Sequence, residues 1–223
     1  MSNRTTSPWG WWVAALALAL PAALDPLPAQ AQTGIIEGRV QLPSAAPRRT
    51  ASRYPGAAPT ARTVQDVPAV AYIRGAIPGA PPQPPAAPTL AQRDTAFEPS
   101  VLMVPLGTTV EFPNRDPFFH NVFSYSSAAR FDLGRYPRGE SKSVVFDEAG
   151  VVKVYCEVHE SMRAAVVVVQ NPFHTTVAPG GTFRIANVPP GRHTVVVWHH
   201  DGGVREVQVD VRAGATTPVQ LRF

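Results

Sequence analysis

Twenty-five prolines are spread along 223 residues, roughly twice ordinary usage. Proline lacks the helical N–H and its ring collides with the preceding turn. A helical bundle or coiled coil is therefore excluded. The prolines alternate with Val-rich runs, and 44% of the chain is hydrophobic, so wholesale disorder is excluded too. What remains is an all-β protein, with short strands punctuated by Gly and Pro as in a β-sandwich.

The strand signals fall into three groups. In 33–42, Ile36, Gly38, Val40 and Leu42 share one parity while Glu37, Arg39 and Gln41 share the other, the pattern of a half-buried strand. Val67 to Ile73 offers a second strand, weakened by Pro68. Residues 78–88 hold six prolines and predict an extended connector. Strands are then predicted at Val101–Pro105, Thr108–Phe112, Ser143–Phe146, Val151–Tyr155 and Ala164–Gln170. A last group covers Phe183–Ile185, Thr194–Trp198, Val204–Val211 and Pro218–Phe223.

Arg4, the apolar run Trp11 to Leu20, Pro21 and Ala29-Gln30-Ala31 together have the form of a secretory signal peptide. This predicts a mature chain from Gln32, periplasmic or secreted; an uncleaved N-terminal anchor is the alternative. No later apolar run approaches the ~18 residues of a spanning helix, so no membrane span is expected after cleavage. The formal charge of +4 is modest, and no basic stripe is interleaved with stacking aromatics, which excludes nucleic acid as a partner. Arg115, Arg130, Arg135, Arg138 and Arg163 lie near the residues discussed next. They make either a basic rim for an acidic redox partner or a solvated surface.

Cys156 is the single cysteine, so an internal disulfide is impossible, and in an exported chain its thiol needs an occupant. The run Cys156-Glu-Val-His159-Glu-Ser-Met162 leaves a predicted strand and offers thiolate, imidazole and thioether donors. His120, in Phe118-Phe119-His120-Asn121, supplies a second imidazole that must arrive by tertiary folding. One Cys, two His and a weak Met is the donor set of a mononuclear blue-copper site. Taken singly, Cys156 and Met162 could be core residues and His120 a turn residue. His199 and His200 are adjacent, so in a strand they point to opposite faces and chelate poorly. No triad, phosphate-cradling loop or His-Glu-x-x-His motif is present, and no catalytic residue is assigned.

The segment from Phe112-Pro113-Asn114-Arg115-Asp116 through His120-Asn121 to Cys156-x2-His159-x2-Met162 resembles the cupredoxins of the plastocyanin and amicyanin kind. The resemblance implies a Greek-key β-sandwich over 95–171. It also implies one copper, cycling between Cu(I) and Cu(II), held by His120, Cys156, His159 and Met162. Asn121 would tie the two ligand loops, and Phe118, Phe119 and Phe123 would keep water from the metal. Glu160 stands where many relatives carry Pro, which bears on partner choice.

Gly181-x-Phe183 leading through Pro189-Pro190-Gly191 into Val195-Val196-Val197 resembles a smaller carboxypeptidase-regulatory or transthyretin-like β-sandwich. Its first strands would be Ile36–Val40 and Val70–Ile73. The implied organisation is a signal peptide (1–31), first strands of the outer sandwich (32–74), a Pro-rich linker (75–94), the cupredoxin (95–171) and the rest of the outer sandwich (172–223). A separate C-terminal domain is the alternative. The function expected is an exported, non-enzymatic carrier of single electrons between redox proteins such as a cytochrome, since four protein ligands leave no open position for substrate. A copper store or chaperone would use the same ligands, and a metal-free scaffold would use none.

Overall fold

A computed structural model describes residues 32–43, 66–80 and 88–223. The signal peptide expected at 1–31, most of the loop expected at 43–66 and part of the connector expected at 78–88 lie outside the described residues. Every regular element among the described residues is a strand. Among the described residues there is no helix long and apolar enough to cross a membrane.

β1 (Gly34–Gln41) and β2 (Val70–Ile73) come first. β3 (Ala91–Arg93), β4 (Ala96–Glu98), β5 (Val101–Pro105) and β6 (Thr108–Pro113) follow. β7 (His120–Ser126), β8 (Ala129–Tyr136) and β9 (Ser141–Phe146) lead to β10 (Gly150–Tyr155) and β11 (Arg163–Val169). β12 (His174–Thr176), β13 (Thr182–Val188), β14 (Gly191–His199), β15 (Gly203–Val211) and β16 (Thr216–Arg222) complete the chain.

The middle of the chain is a cupredoxin-like sandwich. A five-stranded sheet, β5-β11-β10-β7-β8, packs on the β6–β9 pair, with the hairpin β3–β4 alongside. Its core joins Val110, Phe112 and Phe146 to Val122, Val152, Val154, Ala164 and Val166. This sandwich begins before residue 95: Leu90 is fully buried in the core, and β3 and β4 flank a tight turn. Those strands are three residues each, too short to show a period in the sequence. β7 and β8 were not predicted either. β8, at the sheet edge, does alternate: Ala129, Phe131 and Leu133 pack half-buried against the core while Arg130, Asp132 and Gly134 face out, a period that the sequence reading passed over.

The second β domain consists of sheets β13-β1-β16 and β12-β2-β14-β15. β1 is central, antiparallel to β13 and parallel to β16; β2 lies between β12 and β14. Ile36, Val40, Ala71, Ile73, Ile185, Val195 and Val197 meet in its core. Gly181 carries a positive φ of 77°, and a Cβ there would lie 2.1 Å from the Val40 carbonyl oxygen. Only glycine permits both that backbone and that approach of the two segments.

A third apolar layer joins the two domains. Val67, Val70 and Trp198 pack with Ala165, Val167 and Val169. β11 is therefore buried on both faces, with Ala164, Val166 and Val168 in one core and Ala165, Val167 and Val169 in the other. That accounts for its unbroken apolar run, which an ordinary half-exposed strand would not need.

Burial pushes the His174 pKa below its ordinary value of 6.5. As pH falls through that value, the unfolded chain takes up a proton that the folded chain resists, so stability falls. The Tm is expected to drop between pH 7 and pH 5, and to drop less in His174→Gln; equal pH profiles for the two proteins would remove His174 as a cause.

Candidate metal centre

β10 delivers Cys156 at its end, and the chain turns back so that the Met162 N–H donates to the His159 carbonyl at 2.9 Å. β11 starts at the next residue. His120 is not a turn residue: it opens β7, opposite Tyr136, and is fully buried. The fold thus brings His120 against a loop 36 residues away.

The three side chains converge. His120 Nδ1 lies 3.6 Å from Cys156 Sγ and 3.1 Å from His159 Nδ1. The donor atoms of all three lie within 4.8 Å of one another. First-row metal bonds to imidazole and thiolate run about 2.0–2.3 Å, so these atoms can share one ion. Met162 is fully buried in the same core cluster as Cys156. Among the described residues no second group of His, Cys and carboxylates forms such a cluster.

His120 is aimed by residues around it. Asp116 Oδ2 sits 2.8 Å from His120 Nε2. Its carboxylate also accepts the amides of Asp94 and Thr95, at 2.6 and 3.0 Å. Burial opposes charge on Asp116, but the hydrogen bonds from Thr95, His120 and Asp94 outweigh it and hold the pKa below its ordinary value. An ionised Asp116 keeps the proton on Nε2, which leaves the Nδ1 lone pair for a metal. Asp94 and Thr95 form the β3–β4 turn with φ of 51° and 57°, a costly conformation for a β-branched Thr. Asn114 steadies the segment by accepting the Asp116 amide and donating to the carbonyls of Phe118 and Tyr136. Sequence reasoning missed the part played by Asp116. Its place four residues before a candidate ligand was a signal, but the turn that holds it is tertiary.

Asn121 is buried, and its Oδ1 accepts the Glu157 amide at 2.6 Å, tying β7 to the loop 156–162. Phe118 packs on both imidazoles, with ring centres 5.1 Å from His120 and 5.4 Å from His159. Phe119 and Phe123 do not join it: Phe119 is 55% exposed, and Phe123 packs on Tyr125 and Tyr155. Of the arginines, Arg135 forms an exposed pair with Glu157, while Arg163 is buried against Asp201 and belongs to no solvent rim. His193 contacts the Pro189 carbonyl oxygen, and His199 accepts the Asp201 and Gly202 amides. Neither reaches the cluster.

Residues 87–170 match the family of copper binding proteins described as plastocyanin/azurin. With the sandwich and its cluster, this makes the segment a cupredoxin domain of that family. Residues 152–219 match the family described as polysaccharide lyase family 4, domain II. No curated protein matches the chain. Among solved structures, a copper-containing nitrite reductase from Thermus scotoductus SA-01 is 27% identical over 43% of this chain, with a TM-score of 0.36. This chain spans only 25% of that enzyme. A Cu(I) amicyanin mutant is 27% identical over 44% of this chain and 97% of its own, with a TM-score of 0.35. A purple cupredoxin from Nitrosopumilus maritimus is 32% identical over 34% and 83%, with a TM-score of 0.31.

Proposed function

We propose that this chain is an exported mononuclear type 1 copper protein that carries single electrons between redox partners, with His120, Cys156, His159 and Met162 as the ligands. The convergence of His120, Cys156 and His159 on one buried point carries the reading. The donor set suits the metal: a thiolate and a thioether favour Cu(I), and imidazoles tolerate either oxidation state. Copper bound there supplies one-electron oxidation and reduction. The chain's part is to hold its donors still. Asp116 orients His120, Asn121 pins the loop, and Phe118 covers both imidazoles. His159 is the least buried of the three clustered donors, which favours it as the side from which a partner is reached. Export is supported by the form of residues 1–31 and by the single thiol, which the metal would occupy. The pairing of β1 and β2 with C-terminal strands supports reading 32–74 and 172–223 as one carboxypeptidase-regulatory or transthyretin-like module.

The test is a Cu(II) titration of the chain from Gln32, followed by visible absorption. The expected result is one equivalent bound, with an intense thiolate-to-copper band that a reductant bleaches and an oxidant restores. Copper lost on reduction would replace the carrier with a store or chaperone. Asp116→Ala is expected to weaken binding by about 10- to 100-fold in chelator competition. An unchanged affinity would mean that His120 is oriented without Asp116.

A further inference from the structure

The loop 156–162 leaves and re-enters the five-stranded sheet through one cross-strand pair, Tyr155 opposite Arg163. Strand alternation turns both side chains away from the core face that holds Val154 and Ala164. The β14–β15 turn of the second domain holds both. The Tyr155 ring packs against the His200 ring, centres 6.0 Å apart at 77°. Arg163 donates from Nη1 and Nη2 to the two Asp201 oxygens, at 3.0 and 3.2 Å, and from Nη1 to His200 Nδ1 at 3.4 Å. Lys153 Nζ, further along β10, donates to the His200 carbonyl at 3.3 Å.

This grip has the chemistry of a rigid joint. Arg163 is 9% exposed and His200 7%, while the Asp201 side chain is 31% exposed, so water reaches the contact from the Asp201 side alone. A bidentate guanidinium–carboxylate pair fixes orientation as well as distance. Removing the carboxylate would take two charge-assisted hydrogen bonds from a nearly buried guanidinium, so the arrangement resists opening. Fixing the two ends of a short loop narrows the conformations open to everything between them. Between these ends lie Cys156, His159 and Met162.

We propose that the His200–Asp201 turn of the second domain is a positioning element for the metal loop, acting through Tyr155 and Arg163. The second domain then serves the metal site directly, although none of its residues belongs to the donor cluster. The spectroscopic consequences rest on the copper reading; the effect on the loop does not.

The test uses Asp201→Ala and Asp201→Glu in the full chain. In the metal-free protein, amide exchange is read at Glu157 and Met162, whose N–H groups bond Asn121 Oδ1 and the His159 carbonyl. Asp201→Ala is expected to speed both by roughly tenfold or more through local opening, with Val110 and Val144 in the far sheet unchanged. Asp201→Glu should restore most of the protection. In the copper-loaded protein, Asp201→Ala should shift the thiolate band and the reduction potential; a tenfold change in relative Cu(II) and Cu(I) affinity reads as about 59 mV. Faster exchange confined to 199–203, with loop amides, band and potential as in the parent, would overturn the proposal and leave a joint between domains. If the parent chain forms no thiolate–copper band, the copper reading falls, and the exchange measurement still decides whether the turn positions the loop.

Discussion

Cys156→Ser is expected to abolish the intense visible band of the copper-loaded chain, leaving only weak ligand-field colour. The band arises from charge transfer out of a thiolate, and Cys156 is the single cysteine, so no other residue can replace it. The sulfur lies at the buried end of β10, 3.6 Å from His120 Nδ1, in a pocket that a hydroxyl fills sterically but not chemically. Serine is a poor ligand for Cu(I), so copper affinity under reducing conditions should fall by orders of magnitude. An undiminished band in Cys156→Ser would place the chromophore elsewhere and end the type 1 reading. Met162→Leu makes a useful companion. It keeps the buried volume, and because the proposed site would use Met162 as its weak thioether donor, the change should retain the colour while shifting the potential.

Deleting β1 is expected to unfold the second domain and spare the cupredoxin domain. β13 and β16 each pair only with β1 in their sheet, so its loss leaves two strands without a ladder partner. It also removes Ile36 and Val40 from the core that Ile185, Val195 and Val197 complete. Limited proteolysis should then cut within 172–223, while 88–170 stays resistant. A resistant C-terminal segment would show an independent domain and refute the split module. Gly181→Ala is the milder version. It forces a side chain into a left-handed backbone and against the Val40 carbonyl, and should lower the stability of the same domain by about 1–3 kcal/mol or more.

Much of this was written in the local sequence. A strand that faces one core announced itself by alternation, as in Ile36, Gly38 and Val40, and the strand between two cores by the Val run 166–169. The spacing of Cys156 and His159 marked a candidate site in the sequence because a loop between two strands puts near neighbours in reach of one point. The strands β3 and β4 stayed hidden because three residues cannot set a period, whereas the alternation of Ala129, Phe131 and Leu133 in the edge strand β8 was there to be read.

Chain composition and spacing by themselves determined the all-β class and singled out the loop that carries Cys156, His159 and Met162 as candidate donors. Dense proline breaks helix interiors while Val-rich runs suit strands, and a thiolate near imidazoles is a donor combination readable from residue types alone. Tertiary structure alone decided which groups hold those donors in place. Asp116 gains its role from the amides of a hairpin more than twenty residues upstream. Arg163, which the sequence offered as a surface charge, is buried by a turn 38 residues downstream. Hydrogen bonds and buried ion pairs depend on distances of a few ångströms between segments far apart in the chain, and only the folded packing sets those distances.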